Sequence, residues 1–140
     1  MGRDVYCAVE RRDASGRWRF AGALDVGRSY ALFDVLAGAG GSTRRSPIAP
    51  ARGLPADLDP ESCTDDDRES CFGGADEFGK NFRSWLTLAE LQSYDWVAFL
   101  GEHEVPGVHR NKRACARFIE WIQRQDAPAD DLRIVFGFDR

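Results

Sequence analysis

The run Leu132–Phe138, LRIVFGF, constrains this chain more than any other seven residues. Its density of Ile, Val and Phe predicts a central strand, and a central strand needs neighbours from elsewhere in the chain. The N-terminus offers them. Val5, Cys7 and Val9 alternate with Tyr6, Ala8 and Glu10, the two-residue period of a strand. RDASGR, from Arg12 to Arg17, reads as a turn with a late glycine. RWRFAGALDV then alternates again, with Trp18, Phe20, Gly22 and Leu24 on one side. Together these predict a β-hairpin beside Leu132–Phe138, with Ile134, Phe136 and Phe138 facing helices.

The helices carry their own signals. In SYALFDVLAG, Ser29 is an N-cap, Leu32, Phe33 and Leu36 form the apolar stripe, and Gly38 stops the helix. Thr87 and Glu90 have the spacing of a capping box, and Leu86 and Leu91 that of a hydrophobic staple, which predicts a helix over 88–94. It buries Leu88, Leu91 and Trp85. In HRNKRACARFIEWIQRQ, Ala114, Cys115, Phe118, Ile119 and Ile122 recur at helical spacing. Between 39 and 79 regular patterning fades. Glycine and proline interrupt it, and acidic residues follow. PIAPARGLP is expected to be packed, and Asp57–Gly74 to be mobile. The expected fold is α+β: a small, mostly antiparallel sheet with two or three helices packed on one face, a two-layer sandwich with a long irregular central loop.

A chain of 140 residues suits a single domain, here 1–140 with an irregular acidic loop at about 57–77. Hydrophobic residues are 43%, enough for a core, and no apolar run approaches a membrane span. The formal charge of −4 argues against nonspecific nucleic-acid binding. That charge is unevenly placed: residues 1–53 carry 9 basic and 5 acidic side chains, 54–77 carry 1 and 9, and 78–140 carry 9 and 9. No export signal is read at the N-terminus, so a cytoplasmic protein without membrane contact and without disulfides is expected. Cys7 and Cys115 fall on apolar faces as small buried hydrophobes. Cys63 and Cys71 have seven residues between them, too wide for the usual zinc spacing, so neither a metal nor a cofactor is expected.

Five stretches, in this order, resemble a group of uncharacterised proteins of bacteriophages and bacteria, often actinobacteria: MGRDVY, RSYALFDVLAG, PIAPARGLP, SWLTLAEL and LRIVFGFD. Members typically begin M-G-C-D-I-H and carry P-I-A-x-P-R-G-L-P, S-W-L-T-L-x-E-L and V-R-I-V-F-x-F-D. The resemblance implies a phage-related accessory protein and no particular activity. Where members place Cys, Asp and His in the first strand, this chain has Arg3, Asp4 and Tyr6. Of these only Asp4 is a good metal ligand.

Candidate sites follow from residue chemistry. Asp4 with Arg3, Tyr6 and Arg83 would form a polar cluster at one end of the sheet, either a ligand site or an ion pair at a strand terminus. Arg52 in PIAPARGLP could present a guanidinium to an anion. Glu102, His103, Glu104 and His109 could serve acid–base chemistry or bind a metal, but a solvated loop is the reading favoured. Asp65, Asp66 and Asp67 could dock on a basic partner. No motif for phosphate cradling, zinc proteolysis or a nucleophile elbow is present. Two readings result. The first is a protein acting by protein–protein contact, as an inhibitor, anti-defence factor or immunity-like partner, through Asp65–Asp67. The second is a small enzyme or binder of a nucleotide or other phosphorylated ligand, using Asp4, Tyr6, Arg52 and Arg83.

Overall fold

The computed structural model describes residues 5–27, 29–38, 46–63, 81–101 and 112–138. In chain order these hold β1 (Val5–Arg12), β2 (Trp18–Ala23), α1 (Tyr30–Ala37), a 3-10 turn (Pro60–Cys63), β3 (Asn81–Thr87), α2 (Leu88–Ser93), α3 (Trp96–Gly101), α4 (Lys112–Arg124) and β4 (Leu132–Phe138). The strands form one antiparallel sheet in the order β2-β1-β4-β3. The closing run is therefore central, as its composition predicts. All seven of its residues are buried.

Strand alternation sorts the sheet into two faces. Ile134, Phe136 and Phe138 share one buried cluster with Leu32 and Leu36 of α1, Leu91 of α2, Phe99 of α3, and Phe118 and Ile122 of α4. The other face carries Ala8 and Val135, with Tyr6, Phe20, Leu54, Leu58 and Trp85 packed against them. Trp85 thus belongs to this second face and not to the buried stripe of α2. In the hairpin, Val9 pairs with Gly22 and Glu10 with Phe20, so Ala21 has no partner. That bulge reverses the alternation. Phe20 joins the second face while Leu24 packs against the helix side, correcting the expectation that they share one.

Local signals place the helices. The Ser29 side chain accepts the N–H of Leu32, and Gly38 ends α1 in the left-handed region, φ 73°. The Thr87–Glu90 capping box is fully formed, with Leu86 and Leu91 both buried. Directly before it, Ser84–Thr87 is the end of β3, pairing with β4.

Residues 46–63 wrap the sheet. Ile48 and Ala49 pack on the helix side, and Ile48 N–H donates to the Val35 carbonyl. At the β3 edge, Arg52 N–H donates to Ser84 Oγ and Gly53 N–H to the Arg83 carbonyl. Leu54 and Leu58 then cross the second face. At the far side Asp59 Oδ2 accepts the N–H of Phe20, a group on the β2 edge, at 2.7 Å. One segment so blocks polar groups on both edges of the sheet, where unpaired backbone invites aggregation. The expected mobile stretch from Asp57 is corrected at its start, where Asp57 is held by Arg133 and Asp59 by the Phe20 N–H. Residues 64–74 lie outside those described.

Candidate functional site

The second face of the sheet holds the polar centre of the molecule. Glu10 of β1 and Arg133 of β4 stand opposite each other in register. Arg133 Nε donates to Glu10 Oε1 at 2.7 Å, and Arg133 Nη2 approaches the same oxygen at 2.7 Å. The other carboxylate oxygen accepts the Asp59 N–H at 2.9 Å and the Ser62 hydroxyl. Each Glu10 oxygen thus has two donors, so a charge with 0% exposure is fully compensated. Arg133 Nη1 also donates to Asp57 Oδ1 at 2.9 Å.

Aromatic rings complete the arrangement. The Arg133 guanidinium lies 4.2 Å from the Trp18 ring centroid and 5.9 Å from that of Trp85. Arg12 lies 4.8 Å from the Trp18 ring, and Arg52 4.4 Å from the Trp85 ring. Guanidinium and indole alternate across the sheet as Arg12, Trp18, Arg133, Trp85 and Arg52. Each contact falls within the reach of a cation–π interaction. The stack joins β1, β2, β4, β3 and the wrapping segment.

Arg52 anchors the other end of that segment. Its Nη1 donates to Glu90 Oε1 at 2.9 Å and to the Trp85 carbonyl at 3.0 Å, and its Nη2 pairs with Glu90 Oε2. This fork, together with the capping bonds from Thr87, holds the Glu90 carboxyl down at about 2. Arg52 gains a partner in turn, which raises its own pKa. The guanidinium expected to meet an anion already grips one within the chain.

The other sequence-predicted residues fall as follows. Tyr6 packs beside Ala8 and Val135 on the second face. Arg83 sits on β3, its backbone carbonyl bonded to Gly53 next to Arg52, so Arg52 and Arg83 are brought together through the backbone. Asp4, Arg3, Asp65, Asp66, Asp67, Cys71, Glu102, His103, Glu104 and His109 lie outside the described residues. Asp4 directly precedes Val5, which pairs with Phe138, which pairs with Asn81 two residues before Arg83. Cys7 and Cys115 are buried, as their apolar positions predict. Burial pushes the Cys7 thiol far above its usual range, which leaves it inert as a nucleophile at neutral pH. Among the described residues, no three His, Cys, Asp or Glu side chains come together to hold a metal. No helix there is long and apolar enough to cross a membrane.

Glu10, Arg133, Asp57 and Asp59 were not singled out from the sequence. A signal existed: a charge closing or interrupting each of two apolar runs, Glu10 after VYCAV and Arg133 within LRIVFGF. Charges at such positions need each other.

Compared with protein-family models, curated proteins and solved structures, the chain matches none.

Proposed function

We propose that this protein acts by contact with a basic protein partner, through the acidic stretch that follows residue 63. The observation that carries this reading is the anchoring of the stretch at its root, where Asp59 N–H and Ser62 Oγ donate to buried Glu10. Residues 64–80 hold Asp65, Asp66, Asp67, Glu69, Asp76 and Glu77 against Arg68 and Lys80. Such a negative stretch steers a positive partner and speeds encounter, with an effect that salt screens. An inhibitor, anti-defence factor or immunity-like partner of phage or bacterial type works in this way.

The phosphorylated-ligand reading draws less support. It needs Arg52 as an anion clamp, and Glu90 already fills the Arg52 fork. The test is paired capture from source-cell lysate at low and high salt, using the native chain and an Asp65→Ser, Asp66→Ser, Asp67→Ser variant. The expected result is one basic protein that the native chain retains at low salt, releases at high salt, and loses on substitution. Retention of that protein by the variant would overturn the reading.

A further inference from the structure

We propose that the outward face of α4 docks the acidic stretch of a second copy of this chain. This rests on the contact reading above and adds a basic surface that belongs to the protein itself.

α4 turns Cys115, Phe118, Ile119 and Ile122 into the core and leaves Arg113, Ala116, Arg117, Glu120 and Arg124 exposed. Toward its C-terminal end the charge is balanced, because Glu120 pairs with Arg124 at 3.7 Å. Toward its N-terminal end it is not. Among the described residues, the Arg113 and Arg117 side chains have no ion-pair or hydrogen-bond partner. The surrounding sequence adds only positive charge: residues 105–119 hold Arg110, Lys112, Arg113 and Arg117 and no Asp or Glu.

These cations stand where a helix by itself disfavours them. The first turn of α4 holds no acidic residue. Lys112 and Arg113 there add to the positive end of the helix dipole. Arg113 and Arg117, four residues apart, are neighbours of like charge. An anionic surface from outside the chain would offset both costs, and residues set against local preference are expected where a protein makes contact. The face is also open to close approach. A Cβ built at Gly27 would lie 2.6 Å from the Ala114 Cβ and 3.6 Å from Arg117 Nη2. The bare glycine turn and exposed Ala116 thus leave room beside the guanidinium groups.

A second copy supplies the anion. Residues 54–77 carry 9 acidic side chains against 1 basic. The root of that stretch is bonded to Glu10 on the second face of the sheet, whereas α4 packs on the other face. Root and basic helix therefore lie on opposite sides of the sheet. That placement suits a head-to-tail contact, in which the acidic stretch of one copy meets α4 of the next. A nucleic-acid backbone fits less well, because the net charge of −4 repels it.

The test is sedimentation velocity of the full chain over a concentration series at two salt levels. At about 0.01 M salt the screening length is about 30 Å, and at about 1 M it is about 3 Å. The expected result is reversible association at low salt and a monomer at high salt. Arg113→Gln and Arg117→Gln should each weaken association roughly twofold to fivefold, the scale of an exposed charge pair. A charge exchange fixes the pairing. One chain carries Arg113→Glu and Arg117→Glu, the other Asp65→Arg, Asp66→Arg and Asp67→Arg. Each alone should be monomeric and their mixture should associate; if either fails to fold, the glutamine variants decide. Association indifferent to Arg113→Gln and Arg117→Gln would overturn the inference. So would a native chain that is monomeric at low salt, and partner capture from lysate that still depends on Asp65–Asp67 would then leave the contact reading standing. A monomeric chain that retains duplex DNA through Arg113 and Arg117 would overturn the second copy as occupant.

Discussion

Glu10 and Arg133 face each other across β1 and β4, an ion pair with exposures of 0% and 3% at the centre of a four-stranded sheet. Removing two charges from water is costly, and the pair offsets that cost only because the second Glu10 oxygen has donors of its own. Both of those donors, Asp59 N–H and the Ser62 hydroxyl, belong to the wrapping segment. The ion pair therefore fixes the course of residues 57–63 over the sheet, and through them the root of the acidic stretch.

Arg133→Met keeps much of the side-chain volume and leaves the Glu10 charge buried without its partner. The expected loss is about 3–5 kcal/mol, the scale for breaking a buried pair. Glu10→Gln placed in that background should recover part of it, because the amide carries no charge to compensate. Urea unfolding of the single and double variants measures both.

Ile134→Ala removes a fully buried side chain from the helix-facing side of β4. The expected cost is about 2–5 kcal/mol, combining lost transfer free energy with an unfilled cavity. A denaturation midpoint that barely moves would show that this face is not core.

How much of this was legible in the sequence follows from how each signal is encoded. α1, α2 and the buried stripe of α4 were readable because caps and apolar spacing are local. The central place of β4 was readable because a dense apolar run needs neighbours on both edges. β3 was missed because it has cover on both faces: Leu86 faces the helices and Trp85 the other side, so polar and apolar residues do not alternate. α3 was missed because six residues are too few to show a period. The wrapping segment was hardest. Its course is set by Arg52 to Glu90 and Asp57 to Arg133, contacts that span 38 and 76 positions. Composition suggested mobile carboxylates, and only tertiary pairing shows that Asp57 and Asp59 are held.

The Arg52–Glu90 fork makes stability depend on acid. The folded Glu90 carboxyl sits at about 2 against an ordinary 4.5. A depressed folded pKa means stability present above the unfolded value and lost as pH falls through the folded one. Thermal midpoints should therefore drop between about pH 4.5 and about pH 2. Arg52→Met should lower the midpoint at neutral pH and flatten that part of the profile. An unchanged slope in the variant would contradict this assignment.

Gly27 packs where no side chain fits. Its φ is +76°, and a Cβ built there would lie 2.6 Å from the Ala114 Cβ on α4. Gly27→Ala is expected to cost about 1–3 kcal/mol through overpacking. Ala114→Gly in the same chain should relieve the steric part and leave the backbone strain. Calorimetric midpoints of the pair separate the two.

We propose that the acidic stretch beyond residues 57–63 serves contact and not folding. The most direct measurement is the thermal unfolding midpoint of the chain carrying Asp65→Ser, Asp66→Ser and Asp67→Ser, read beside Arg133→Met. If that stretch takes no part in folding, the predicted result is a midpoint within about 1 °C of the native chain for the triple variant, since substitutions that touch no structural contact stay within a few tenths of a kcal/mol. Arg133→Met should fall far below it. A large loss of stability in the triple variant would show that Asp65–Asp67 hold the fold together, and would contradict the proposal.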